Sequence, residues 1–212
     1  MVAHAQVQYW RDSETLWRRA LEVTAANHRA HAALGGVLAA QGKIDEAIAE
    51  YREALRIVPT QAEWRSNLGL LYTKQGKIME AMGQYALATR ARPGYADAHN
   101  NLGAMLARAG RRKEAIVEYS EALRLKPSFA LAHNNLALAL AEEGRLDEAL
   151  RECLEALRLN PSNADWHYQA ASLFDRLGRR NDARAYLEKT LKLNPGHEAA
   201  RRALEEMKRQ GG

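Results

Sequence analysis

Residues 96–129 read ADAHNNLGAMLARAGRRKEAIVEYSEALRLKPSF, and this stretch decides the fold. Leu102, Leu106 and Ala109 stripe its first part; Ala115, Tyr119, Ala122 and Leu123 stripe its second. Both stripes have the i, i+3, i+4 spacing of an amphipathic helix. Gly110 lies between them, where a residue without Cβ accepts the positive φ of a helix end. Pro127 closes the second stripe, because proline cannot continue a helix and disfavours helical backbone in the residue before it. The stretch therefore predicts helix, turn, helix, stop.

The same punctuation runs through the chain. Its prolines, Pro59, Pro93, Pro127, Pro161 and Pro195, stand 34 residues apart, and Gly42, Gly76, Gly110, Gly144 and Gly178 keep the same step. A constant period of this size is the mark of a repeat architecture. It predicts five helix–turn–helix repeats over 28–61, 62–95, 96–129, 130–163 and 164–197. Residues 1–27 remain as an N-terminal tail and half-repeat helix, and 198–212 as a C-terminal capping helix, twelve helices in all. In the cap, Ala199, Ala203, Leu204 and Met207 are expected to face the last repeat, and Arg201, Arg202, Glu205, Glu206 and Lys208 to face water, ahead of a frayed Gly211-Gly212. In the half-repeat, Trp10 to Val23 reads as a second helix whose first helix is absent, Met1 to Tyr9 being too short to supply it. A solenoid end without a polar outer face needs a cover, so self-association around Trp10, Leu16 and Trp17 is expected.

Composition agrees with an all-α chain. Of 212 residues 47% are hydrophobic, Ala and Leu dominating, with Glu, Lys and Arg leading the charges; these residues lose little side-chain freedom in helices. A single cysteine, Cys153, excludes an intrachain disulfide framework. No run of 18 apolar residues offers a membrane span, and Met1 to Gln8 lack the charged head and apolar core of a signal peptide. The net charge is +5, but opposite charges are interleaved, as at Arg52-Glu53, which describes a solvated helix surface. Nucleic-acid binding would gather the basic residues on one face, so nucleic acid is not expected as a partner.

The period and helical pairing resemble the tetratricopeptide repeat family. Counting each repeat from His28, the small residues of the family's eighth position are Gly35, Gly69, Gly103, Ala137 and Ala171. Its twentieth position reads Ala47, Ala81, Ala115, Ala149 and Ala183. The aromatic twenty-fourth reads Tyr51, Tyr85 and Tyr119, from which Cys153 and Leu187 depart; the twenty-seventh reads Ala54, Ala88, Ala122 and Ala156, with Thr190 the exception. The resemblance covers residues 28–197. It implies a right-handed superhelix, small residues that let paired helices approach, tyrosines filling space between repeats, and a concave groove lined by the first helix of each repeat.

Candidate chemistry is sparse. His31, His99, His133 and His167 recur in register but sit one repeat apart. They form a row, whereas a zinc ion needs ligands converging at about 2 Å; structural packing is expected and no metal. Cys153 stands in an apolar stripe and reads as a buried thiol. No Gly-rich phosphate loop or pocketed carboxylate pair is apparent. No enzymatic activity and no cofactor are expected.

In the family, the second, fifth, sixth, ninth, twelfth and thirteenth positions often face the groove. Here the sixth reads Ala33, Asn67, Asn101, Asn135 and Gln169, and the fifth Ala32, Ser66, Asn100, Asn134 and Tyr168. Asn is a modest helix former, so its recurrence suggests another use: a carboxamide offers donors and an acceptor and can grip both N–H and C=O of an extended peptide. Lys74, Arg108, Asp97 and Glu63 would add charge selectivity. The Asn row is similar to that in the repeats of O-linked N-acetylglucosamine transferase, though Asn-Asn also belongs to the repeat's consensus. The lysines and arginine with which chaperone-adaptor members clamp a C-terminal carboxylate are missing. Tyr9 to Trp17 is similar to the start of the repeats in multi-spanning O-mannosyltransferase-like membrane proteins, where Tyr9 and Trp10 would suit a membrane interface; alternatively both pack on the first repeat. The expected function is a scaffold binding a protein or extended peptide in the groove. The alternatives are a substrate-presenting module of a membrane-bound glycosyltransferase, tethered in a parent protein, and a self-associating array.

Overall fold

The computed structural model describes residues 2–24 and 27–210, with side chains from Ser13 to Thr24 and from Asn27 to Arg209. Among the described residues the chain forms twelve helices and no strand: α1(Val2–Val23), α2(His28–Ala40), α3(Ile44–Ile57), α4(Ala62–Lys74), α5(Ile78–Ala91), α6(Ala96–Arg108), α7(Arg112–Leu125), α8(Ala130–Glu142), α9(Leu146–Leu159), α10(Ala164–Arg176), α11(Arg180–Leu193) and α12(Glu198–Gln210). They divide into two compact units, residues 1–105 and 106–212.

The punctuating glycines act as read. Gly42, Gly76, Gly110, Gly144 and Gly178 have φ between 72° and 79°, the left-handed region that a side chain disfavours. The next N–H reaches back five residues, as in Lys43 to Leu38, Lys77 to Tyr72 and Arg145 to Leu140, each 2.9 Å. This is the Schellman closure, which satisfies orphan carbonyls while reversing the chain.

In the first unit, α1 packs on α2, α2 on α3, α3 on α4 and α4 on α5. Leu34, Leu38, Leu68, Tyr72 and Tyr85 are buried in it, and burying each such side chain stabilises by about 1.5–3 kcal/mol. Tyr51 and Tyr85 of the twenty-fourth position lie against Gly35 and Gly69 of the eighth. A Cβ on Gly35 would stand 3.0 Å from the Tyr51 ring, and one on Gly69 2.9 Å from that of Tyr85. In the second unit, α7 packs on α8 and so on to α12. There Ala171, Leu187 and Ala200 form one cluster, with Ala203, Leu204 and Met207 of the cap against it. The pairing explains the departures in the aromatic series: Gly35, Gly69 and Gly103 go with Tyr, whereas Ala137 and Ala171 go with Cys153 and Leu187. An alanine leaves no room for a ring.

The structure corrects the sequence reading at three places. The N-terminal helix does not begin at Trp10; α1 runs unbroken from Val2 for 22 residues. Ala109 is exposed, because α6 ends at Arg108. Ala200, absent from the expected cap face, is its most buried residue. The side chains of Tyr9 and Trp10, and Gly211-Gly212, lie outside the described residues. Helix α1 is tied down by Glu14, which accepts from Lys43 Nζ and Arg18 Nε, both at 2.9 Å. Lys43 foremost, then Arg18, hold its carboxyl at about 2.

Gly69→Ala is expected to destabilise by about 1–3 kcal/mol despite alanine's better helix propensity, since the buried Tyr85 ring cannot retreat. Gly69→Ala with Tyr85→Leu, the combination already present as Ala171 and Leu187, should recover most of the loss. Gly83→Ala, with no neighbour within 4 Å, should stabilise by about 1 kcal/mol. Urea denaturation of the three variants checks all of this.

Candidate functional site

The histidine row is explained by the turn before each first helix. His99, His133 and His167 each point Nε2 at the carbonyl of the proline six residues earlier, Pro93, Pro127 and Pro161, at 2.9–3.0 Å. Arginine does the same at this fourth position elsewhere: Arg65 to Pro59 at 2.8 Å and Arg201 to Pro195 at 2.6 Å. The other ring nitrogen meets the twenty-third residue of its own repeat: His31 Nδ1 lies 2.6 Å from Glu50, and His133 Nδ1 2.6 Å from Glu152. Sequence spacing alone could not show this backward reach. Among the described residues no three His, Cys, Asp or Glu side chains are grouped to hold a metal.

In the fifth repeat Tyr186 stands where the carboxylate would be. The ring centroids of His167 and Tyr186 are 5.6 Å apart, and the buried Nδ1 of His167 has no hydrogen-bond partner. Burial lowers the pKa of His167. Cys153 is buried, its thiol pushed up to about 12 by desolvation, and its Sγ donates to the Trp166 carbonyl at 3.6 Å. A thiol held protonated in this way is packing, not a nucleophile.

The residues expected in the groove separate into two groups. Asn100 and Asn134 are corrections: both are buried, 3% and 4% exposed, as is Ser66 at the same position. One residue turns a helix face by about 100°, enough to carry the fifth position inside while the sixth stays outside. At the sixth position Asn67 is exposed, and Asn101, Asn135 and Gln169 are half-buried. Asn67 Nδ2 donates to the Tyr51 hydroxyl of the preceding repeat at 3.1 Å, which aims its carbonyl oxygen away from that contact. Lys74, Asp97 and Arg108 are exposed. Glu63 is held by Arg92 at 2.5 Å.

Two expected residues, Tyr168 and Gln169, come together in a recess of about 140 Å³ in the second unit. Its apolar wall is Ala137, Leu138, Ala141 and Leu173; Ser172 and Arg176 complete the polar rim. Arg176 Nη2 donates to the Ala141 carbonyl at 2.9 Å, which fixes the guanidinium there. Gln169 Oε1 is buried without a hydrogen-bond partner. Leu138, Ala141, Ser172 and Arg176 occupy ninth, twelfth, ninth and thirteenth positions, so the family's groove register already pointed to them, although they had not been singled out by residue.

The comparisons agree with this architecture. A family profile described as TPR repeat matches residues 35–76 and 105–144, and one described as tetratricopeptide repeat matches 140–207. No curated protein sequence matches the chain. Among solved structures, YrrB, described as a TPR protein with an unusual peptide-binding site, is 25% identical with a TM-score of 0.78, over 89% of this chain and 97% of that one. Pseudomonas aeruginosa PilF is 22% identical with a TM-score of 0.82, over 97% and 93%. MamA from Desulfovibrio magneticus RS-1 is 19% identical with a TM-score of 0.73, over 88% and 97%.

The shifted pKa of His167 has a measurable consequence. Its folded value lies below the ordinary 6.5, so the stability it contributes is whole above 6.5 and is lost as pH falls and the unfolded chain takes up the proton. Tyr186→Glu, which restores the carboxylate of the first and fourth repeats, should shrink the drop in thermal midpoint between buffers above and below that value. An unchanged drop would mean that Nδ1 is not the group responsible.

With a glycine turn of positive φ and a seated aromatic or its smaller substitute recurring through helical pairs, and with profiles matching on both sides of the chain's midpoint, the chain is a tetratricopeptide-repeat protein.

Proposed function

We propose that the chain is a protein-interaction scaffold that holds an extended polypeptide along the outer face of its first helices. The observation that carries this reading is the sixth-position asparagines, which keep solvent exposure while their fifth-position neighbours are buried: Asn67 beside Ser66 and Asn101 beside Asn100 in the first unit, Asn135 beside Asn134 in the second. The Tyr51 hydroxyl occupies the amide nitrogen of Asn67 and presents a fixed acceptor to a ligand N–H. Such preorganisation reduces the entropy lost on binding. Backbone recognition would give affinity with little sequence preference. The peptide-binding description of YrrB, whose fold covers most of this chain, supports the same use.

The exposure of Leu16, 62%, beside a half-buried Trp17 favours a second reading, association of two copies through α1. Sedimentation over a range of concentrations decides it: a Leu16→Glu variant should dissociate any dimer, and a wild-type chain that stays monomeric removes the reading.

The principal reading is tested with random peptides selected on the wild-type chain. Asn67, Asn101 and Asn135 changed together to Ala should weaken the selected peptides roughly a hundredfold, at about 1 kcal/mol per lost hydrogen bond. Helix propensity favours the variant, but the Tyr51 hydroxyl loses its partner, so its stability should stay near that of the wild type. Full binding by the folded variant would leave the amide row as a mere partner of the tyrosines.

A further inference from the structure

We infer that the recess between α8 and α10 is an anchor pocket for one phenylalanine-sized side chain of the bound polypeptide. This rests on the polypeptide-binding reading and specifies what part of the ligand the second unit takes. The volume, about 140 Å³, matches the ~150 Å³ apolar cavity that accepts a benzene ring. Its wall is apolar, and the helix leading to it adds more: Leu131 and Leu138, two turns apart on α8, are 48% and 43% exposed. Large side chains left open in this way next to a concavity mark a contact surface.

The rim states what surrounds the ring. Arg176 is its one cation among the described lining residues, and a guanidinium carries five N–H donors, of which Nη2 is used on the Ala141 carbonyl. Gln169 contributes a carboxamide whose oxygen is buried without a partner, a state that costs free energy until an N–H reaches it. Gln169 and Arg176 both line the recess, so one ligand can meet the two. A donor and an acceptor side by side are the complement of one peptide unit, with its C=O toward Arg176 and its N–H toward Gln169. An isolated hydrocarbon would leave both unanswered, and a nucleic acid or a lipid headgroup would bring phosphate where Arg176 is the one cation among the lining residues.

The test uses N-acetyl-phenylalaninamide, which carries the ring and its flanking peptide units, and N-acetyl-alaninamide, which lacks the ring. Methyl NMR on the full chain should show saturable shifts at Ala137, Ala141 and Leu173 with the first probe and none with the second. Ser172→Leu, a change at an exposed helical position that fills the recess, should abolish the shifts. Arg176→Gln should weaken the probe by roughly five-fold, the effect of one net hydrogen bond. Absent shifts, shifts that persist in Ser172→Leu, or equal response to both probes overturn the inference. Probe binding without capture of any selected peptide would instead overturn the scaffold reading, and peptide capture without probe binding would leave that reading intact while removing the pocket.

Discussion

A tyrosine ring lying on a glycine sets the distance between paired helices, and much of the chain follows from it. At Gly35 and Gly69 the ring occupies the space a Cβ would take, at 3.0 and 2.9 Å. Interiors are packed at crystal-like density, so a methyl group at such a contact cannot be absorbed. Position eight and position twenty-four are therefore one choice, not two. The repeats that carry alanine at eight have given up the ring, and with it the hydroxyl that a following asparagine could hold. Tyr51 meets Asn67; Cys153 has no hydroxyl to offer, and the residue in the corresponding place is Gln169, whose oxygen goes unpartnered. Packing inside one repeat thus bears on the polar contacts of the next, but not alone, since the Tyr85 hydroxyl meets Thr73 of its own repeat.

The second constraint is the proline. It stops the second helix and deprives the turn of an N–H, but its own carbonyl still needs a donor. The fourth residue of the next repeat supplies one, from histidine or arginine alike. Two chemically different side chains serve because both present a ring or guanidinium N–H at similar reach. That is why a row of histidines, which invites a metal reading, needs none. That carbonyl meets Nε2 in the third, fourth and fifth repeats, and a glutamate faces Nδ1 in the first and fourth.

The turns and helix pairs were legible because glycine and proline act locally: a positive φ or a missing N–H is a property of one residue. The start of α1 was not, since nothing in Val2 to Tyr9 breaks a helix and the repeat pattern begins only at Trp10. The burial of Asn100 and Asn134 was hidden for a different reason. Periodicity shows which residues share a face, but Asn-Asn straddles the edge between the inner and outer faces. The recess was half legible. Tyr168 and Gln169 were expected, whereas Arg176 enters through a bond to the Ala141 carbonyl of another repeat, a contact with no trace in spacing.

These constraints leave the eighth and twenty-fourth positions filled differently along the chain. In the first compact unit, glycines seat Tyr51 and Tyr85, and Asn67 has a tyrosine partner. In the second, α8 and α10 carry alanines at the eighth position, and His167 lacks the carboxylate that meets His31 and His133; unpartnered glutamine oxygens occur in both units, at Gln41 and Gln75 as well as at Gln169. Buried polar groups without partners are costly, and what sets Gln169 apart from Gln41 and Gln75 is that it lines a recess, where the N–H of a ligand could reach it.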